Sequence, residues 1–432
     1  MTTLSRRQAL IGSASVAAAT ALPSLARAGE VELRFFYPVA VSGPLTKLID
    51  GYAAQFEQEN PGIKIKPVYA GDYVQTVGKA LTAVKGGDSP ELAILLAADI
   101  LTLTDENAVV PFDDFVKSAE DKAWFEGFFP AFMENARHGG KTYGIPFQRS
   151  TPVLYWNKAA FKEAGLDPDK APGTWDELLD YAKKLTKKDA SGNITQYGLE
   201  IPSDGNTLWL FTGLAITNDV RLVNAEGDKT FFDDPRVIEA AQFEVDLSRK
   251  HGVQPQGITS WGGAPKEFLE GRLAMIYHTT GNLTNIRKNA TFPFGVGMLP
   301  AKAHRGAPTG GGNFYMFKGL SAEKQAAAFK FVRWMTTPAR AAEWSINTGY
   351  VATSPAAYET EAMKKFTAEV PQALVARDQL PFAQSEVTTH ESQRIAKLFN
   401  DNMQAALTGA KTVEVALKDT QTEAERILKT YR

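Results

Sequence analysis

Three short stretches of this 432-residue chain, with four single aromatic residues, bring together side chains that could do chemistry. His278-Thr279-Thr280-Gly281-Asn282 follows the apolar run LAMIY and precedes LTNIRK. A strand-turn-helix there would present backbone N–H groups and hydroxyls to a polar or anionic ligand, and would equally serve as a plain N-capped helix. Thr309-Gly310-Gly311-Gly312-Asn313-Phe314-Tyr315 is a glycine-rich loop entering an aromatic strand, where missing side chains let backbone approach a ligand closely. It lacks the GxxxxGK[ST] spacing of a nucleotide loop. Arg149-Ser150-Thr151 offers a cation and two hydroxyls, able to hold an anion or to pair with a surface acid. Tyr73 sits between a turn and a helix, and Trp209, Trp261 and Tyr350 have apolar faces with a polar handle, suited to a sugar or polyol and equally to a core.

The patterns that catalysis usually needs are missing. The five histidines, at 138, 251, 278, 304 and 390, form no HExxH and no i,i+4 pair, and no GxSxG elbow occurs. Gly140-Lys141-Thr142 ends like a phosphate loop, but Asn135 stands where that loop needs glycine. With no cysteine there is no disulfide, thiol nucleophile, cysteine zinc site or iron–sulfur cluster. No cofactor or metal is expected. The rival class is a secreted glycan-active enzyme, whose two carboxylates need no local motif.

These residues must be placed by a scaffold, and its periodicity is legible. VELRFFYPV (31–39) alternates as a strand, and Leu45, Leu48, Ile49, Tyr52, Ala53 and Phe56 recur at helical spacing. Asn60-Pro61-Gly62 breaks that helix, IKIKPVY (63–69) alternates again, and a helix over about 73–85 follows. Leu92–Leu96 is a continuous apolar run, as in a strand buried on both faces. The order β-α-β-α-β predicts a parallel sheet covered by helices, with ligands beyond the carboxyl ends of its strands. Farther on, TPVLYWN (151–157) reads as a strand, Asn157 as a helix cap, Thr174-Trp175-Asp176-Glu177 as a capping box, and Asp234-Pro235 as a helix start. A long amphipathic helix is expected near 412–430. The length points to two lobes, and no low-complexity linker separates them.

The first 28 residues read as an export signal. Arg6 and Arg7 precede an Ala-rich stretch, and Ala26-Arg27-Ala28 offers a small-x-small cleavage pattern. Ser5-Arg6-Arg7-Gln8 before Ala9-Leu10-Ile11 favours the twin-arginine route over an ordinary secretory one. Its removal takes three arginines and changes the net charge from −2 to −5, which gives nucleic acid and anionic membranes no electrostatic attraction. Without a cysteine for lipid attachment, the bacterial periplasm is the expected compartment.

Several of these stretches resemble family 1 extracellular solute-binding proteins, the receptors of bacterial ABC importers. They are Phe56–Ile63, Gly86–Leu92, Tyr143–Pro146, Leu154–Lys158, Phe161 with Gly165-Leu166, Thr174–Leu178, Phe268–Met275 and Thr348–Tyr350. Within the family, Gly71-Asp72-Tyr73, Ser150–Tyr155, Asn285–Arg287, Gly295–Met298 and Gly311-Gly312 are most similar to the members that bind glycerol 3-phosphate. The resemblance implies an α/β two-lobe fold of the periplasmic binding protein kind (type II), closing by a hinge over a small hydroxyl-rich solute. It implies a first lobe of 30–148 plus about 300–335 and a second of 149–299 plus about 336–432. It also implies a monomer that delivers its solute to an inner-membrane permease. The ligand set it suggests is Tyr73, Asp99, Arg149, Ser150, Thr151, Asp204, Trp209, His278, Thr279, Thr280, Gly311, Gly312, Asn313 and Tyr350. Two positions depart from that branch: an acidic contact falls on Ala98, with Asp99 adjacent, and a late phosphate-holding arginine falls near Thr388.

Overall fold

The computed structural model describes residues 30–432; the export signal lies outside the described residues. The predicted β-α-β-α-β start is present. Strands Val31–Tyr37 and Ile63–Tyr69 pair in parallel over seven residues, and Leu92–Leu96 joins the other side of Val31–Tyr37, also parallel. Gly310–Phe317 then enters antiparallel beside Leu92–Leu96, and Val109–Val110 and Ile145–Ser150 pair with it in turn. Leu92 and Ile94 face one apolar core with Phe35 and Phe314, while Ala93 and Leu95 face another with Val77 and Tyr315. The unbroken apolar run is thus a strand covered on both faces.

Local signals account for the helices. In Leu45–Glu59 the buried residues are Leu45, Ile49, Tyr52, Ala53 and Phe56, one stripe at helical spacing. Tyr73–Lys85 opens with a reciprocal cap between Asp72 and Gln75, which fixes Tyr73 at its first turn. Asn157 caps Lys158–Glu163 through the amides of Ala159 and Ala160. The expected box at Thr174 is only half formed: its hydroxyl accepts from the Glu177 amide, while the Glu177 carboxylate reaches back one residue farther, to the Gly173 amide. Val413–Leu428 is the long C-terminal amphipathic helix.

A second sheet centres on Pro152–Asn157, flanked antiparallel by Met275–Thr279 and Phe294–Gly297. Its core combines Leu154, Trp156 and Phe211 with Ile395, Phe399 and Leu417 from the last two long helices. Helix Pro338–Thr348 serves both halves, giving Trp344 to the core of the first sheet and Ala341 and Ala342 to a core beside the second. The chain therefore passes between sheets at Thr151, around Ala307–Thr309 and around Gly349–Val351. Arg149 is bridged to Val351, and Ala307-Pro308 pairs with Ala383-Gln384.

The second half of the chain buries acids at Glu200 and Glu244. Glu244 is buried on helix Pro235–Arg249, one of its oxygens has no partner, and the unpaired Tyr277 hydroxyl is nearby. Burial pushes its carboxyl up to about 8. The folded state then holds a proton that the unfolded chain releases near pH 4–5, so stability falls as pH rises from there to about 8. Glu244→Gln is expected to flatten that slope and to add roughly 1–4 kcal/mol at alkaline pH. Urea unfolding at pH 5.5 and 8.5 measures it; an unchanged slope would remove Glu244 as the cause.

Candidate ligand-binding site

The crossover strand sorts the candidate residues onto two faces. Side chains alternate along Ile145–Ser150, so Gln148 and Ser150 share one face and Arg149 takes the other. On the first face Gln148 Nε2 donates to the Tyr350 hydroxyl at 3.0 Å, and the Tyr350 ring stacks on Trp344 with centroids 6.0 Å apart. Tyr73, from the first helical turn after the second strand, lies beside Tyr350, and its buried hydroxyl has no partner. Gly312 lies against the Tyr73 ring. Gly281 lies against Tyr350: a Cβ there would stand 2.9 Å from the Tyr350 Cζ, so only glycine lets turn and ring meet.

The turn His278–Asn282 forms the wall from the second sheet, and its hydroxyls are used internally. Thr279 Oγ1 accepts from the Gly281 amide at 3.1 Å, and Thr280 Oγ1 donates to the Gly349 carbonyl at 2.9 Å. His278 is a strut for Trp261. Its ring lies 3.9 Å from the Trp261 ring, its Nε2 is 3.0 Å from the Trp261 carbonyl, and its Nδ1 is 2.7 Å from Asn282 Nδ2. Burial lowers its pKa to about 4, so the ring is neutral. Asn282 Oδ1 remains buried and unpaired. Trp261 Nε1 donates to the Ala40 carbonyl at 2.9 Å, joining the second half of the chain to the loop after the first strand. Trp209 stands nearly perpendicular to Trp261 at 6.1 Å, and its Nε1 donates to the Thr309 carbonyl at 2.9 Å. It lies directly over Gly310, where a Cβ would come within 2.3 Å of Trp209 Nε1. Asp204 is exposed on the loop beside Trp261.

On the other face Arg149 is closed in. Its Nη1 donates to the Gly311 carbonyl (3.1 Å) and Asn313 Oδ1 (3.3 Å), and its Nη2 to Asn135 Oδ1 (3.2 Å) and Thr309 Oγ1 (3.3 Å). The guanidinium is fully buried; its η nitrogens go to four neutral acceptors and staple the crossover strands together, while its Nε is left without a partner. Thr151 is likewise committed, its hydroxyl accepting from Gln379 Nε2 at 2.9 Å. Asp99 is half committed, with its Oδ2 buried and without a partner. Its Oδ1 takes Ser392 Oγ and Gln393 Nε2, each at 2.7 Å, tying the end of the third strand to the helix Ser392–Thr408.

Electrostatics explain this arrangement. Glu386 is buried and hydrogen-bonded by Asn135 Nδ2 at 3.4 Å, so Asn135 bridges it to Arg149. Burial pushes Asp99 up to about 6 and Glu386 up to about 8. The Arg149 charge opposes that shift at Glu386, and the Asp99 carboxyl adds to it. Gln148, Asn135 and Glu386 carry no local sequence signal, because only tertiary contact brings 135, 149 and 386 together. Thr388, where an arginine was expected, donates to the Glu386 carbonyl on this same side.

Two sheets joined by several crossovers, with aromatic and unpaired polar groups from both halves meeting on one face of the crossover strand, define a two-lobe binding protein of the periplasmic type. This chain belongs to the bacterial extracellular solute-binding protein family, whose model matches residues 51–371. It is 28% identical to the sn-glycerol-3-phosphate-binding periplasmic protein UgpB of Pectobacterium atrosepticum, over 99% of this chain and 98% of that one. The UgpB of Salmonella typhimurium is 29% identical over 91% of this chain and 92% of its own. Among solved structures, UgpB of Mycobacterium tuberculosis in complex with glycerophosphocholine superposes with a TM-score of 0.80 at 23% identity, covering 93% of this chain and all of that one. Maltose-bound MalE3 of T. maritima gives 0.79 at 21%, over 92% and 100%.

Proposed function

We propose that the protein is the periplasmic receptor of an ABC importer, capturing a small hydroxyl-rich solute between lobes of 30–148 plus about 300–335 and 149–299 plus about 336–432, and passing it to an inner-membrane permease. The named relatives are periplasmic binding proteins, and among the described residues no helix is long and apolar enough to cross a membrane. The observation that supports the reading is that Tyr73 Oη and Asn282 Oδ1, one from each half of the chain, are buried without a hydrogen-bond partner. Buried polar groups are rarely left unpaired, and a solute with hydroxyls would satisfy both. Because each half supplies contacts, solute would favour the closed arrangement.

The donors available there are hydroxyls and amides, while the η nitrogens of Arg149 are spent on internal acceptors. A neutral polyol or a singly charged glycerophosphodiester fits that chemistry better than a dianionic monoester. Asp204, Trp209, Ser150 and the 310–313 segment line the approach in this reading. A thermal-shift panel of sn-glycerol 3-phosphate, glycerophosphocholine, maltose and simple polyols tests it. A tight ligand at a hundred times its Kd adds about 2.7 kcal/mol. Recovery of the ligand unchanged separates a receptor from a glycan-active enzyme, and turnover would sink the proposal.

A further inference from the structure

Trp261, His278 and Asn282 form a hydrogen-bonded row whose direction follows from elementary chemistry. The Trp261 carbonyl can only accept, so His278 Nε2, 3.0 Å away, carries the ring hydrogen. A neutral imidazole has one N–H, which leaves a lone pair on Nδ1. The ring is fully buried, and burial holds its pKa down at about 4, so a second proton is absent at neutral pH. The Asn282 atom 2.7 Å from Nδ1 is therefore the donating Nδ2. The amide cannot turn over, because Oδ1 and Nδ1 would then oppose two lone pairs in a buried space. Turning the imidazole over would put carbon in place of both nitrogens and lose both bonds. Trp261 is itself anchored, its Nε1 donating to the Ala40 carbonyl at 2.9 Å. What the row leaves over is Asn282 Oδ1. Asn282 is 2% exposed, and among the described residues no donor reaches that oxygen. Its neighbour Gly281 lies against the Tyr350 ring, beside which the Tyr73 hydroxyl is also unpaired.

We propose that His278 is a positioning residue for solute specificity. It locks Asn282 with Oδ1 as a fixed acceptor, so the site selects a solute that donates a hydroxyl hydrogen there and rejects an ether or unprotonated phosphate oxygen at the same place. The inference rests on the solute reading above and deepens it. A locked acceptor facing an acceptor-only group leaves two buried oxygens opposed, which is how a hydrogen-bonding site excludes the wrong analogue. An asparagine free to turn would offer Nδ2 to such an oxygen equally well and would not discriminate.

Nitrogen-15 spectra of the mature protein labelled at histidine test the lock without any ligand. The signal lost in His278→Phe and displaced in Asn282→Leu should show a lone pair on Nδ1 and hydrogen on Nε2 at neutral pH. The opposite tautomer, or an imidazolium, would overturn the proposal. Calorimetry with glycerophosphocholine and maltose, each beside its mono-O-methyl ethers, tests the selection. At least one ether should bind roughly tenfold or more weakly than its parent. His278→Phe keeps an aromatic ring against Trp261 but frees the amide, and should shrink that ratio to about threefold or less. Asn282→Leu should weaken the parent by roughly tenfold and that ether by less. A purely structural role for His278 would weaken parent and ether alike; an unchanged ratio in His278→Phe would therefore overturn the proposal while the solute reading stands. Binding of neither parent by the unaltered protein would overturn the solute reading, and the selection with it.

Discussion

Arg149→Ala is expected to lower the unfolding free energy by about 3–5 kcal/mol, the usual cost of removing one partner from a buried charge network. The side chain is fully buried and makes four hydrogen bonds to two separate parts of the chain, at Asn135 and at Thr309, Gly311 and Asn313. Its loss leaves those acceptors unpaired and removes the charge that holds the Glu386 carboxyl down. Glu386→Gln in the same background should recover part of the loss, because Glu386 is the buried acid that Arg149 acts on. Chemical denaturation of the two single variants and the double measures the coupling. A cost below about 1 kcal/mol for Arg149→Ala would mean that water reaches the guanidinium and that the crossovers hold without it. Any weakening of solute binding in Arg149→Ala should follow stability and not ionic strength, since the guanidinium does not face the cleft.

The second large effect concerns the cleft itself. Tyr350→Ala should weaken the solute that performs best in the ligand panel by about a hundredfold, or roughly 3 kcal/mol. The ring is the shared surface of Trp344 and Gly281, and its hydroxyl receives the Gln148 amide. Tyr350→Phe keeps the ring and should cost only about tenfold, the worth of one hydrogen bond of roughly 1–1.5 kcal/mol. Calorimetry at matched folded fractions separates the two variants. Unchanged affinity in Tyr350→Ala would move the solute off this face and with it the role proposed for Tyr73 and Asn282.

The two predictions differ in how far the sequence foresaw them. Tyr350 and Tyr73 were singled out by residue type and by resemblance, and the fold brings both to one face with Gly281 and Gly312. Arg149 was singled out as well, but its role was inverted. A lone cation beside hydroxyls reads as an anion receptor, and nothing nearby in sequence announces that Asn135, Thr309 and Asn313 will surround it. His278, named in the expected ligand set, is a buried residue whose ring and Nε2 support Trp261.

Local order was therefore decided by the sequence alone. The alternation of Val31–Tyr37, the apolar run Leu92–Leu96, the cap at Asp72 and the stripe of Leu45–Glu59 depend on side-chain period and on hydrogen bonds a few residues long. The parallel pairing of the first three strands followed, whereas the antiparallel entry of Gly310–Phe317 beside them did not. Only the tertiary structure decided which polar groups face the cleft and which are spent within the protein. Pairings such as Asp99 with Ser392, Arg149 with Thr309 and Trp261 with Ala40 join residues 160 to 293 positions apart. Whether a donor is free or committed depends on such distant partners, and on the burial that shifts Asp99 and Glu386 toward their protonated forms; neither is encoded in the neighbourhood of the residue itself.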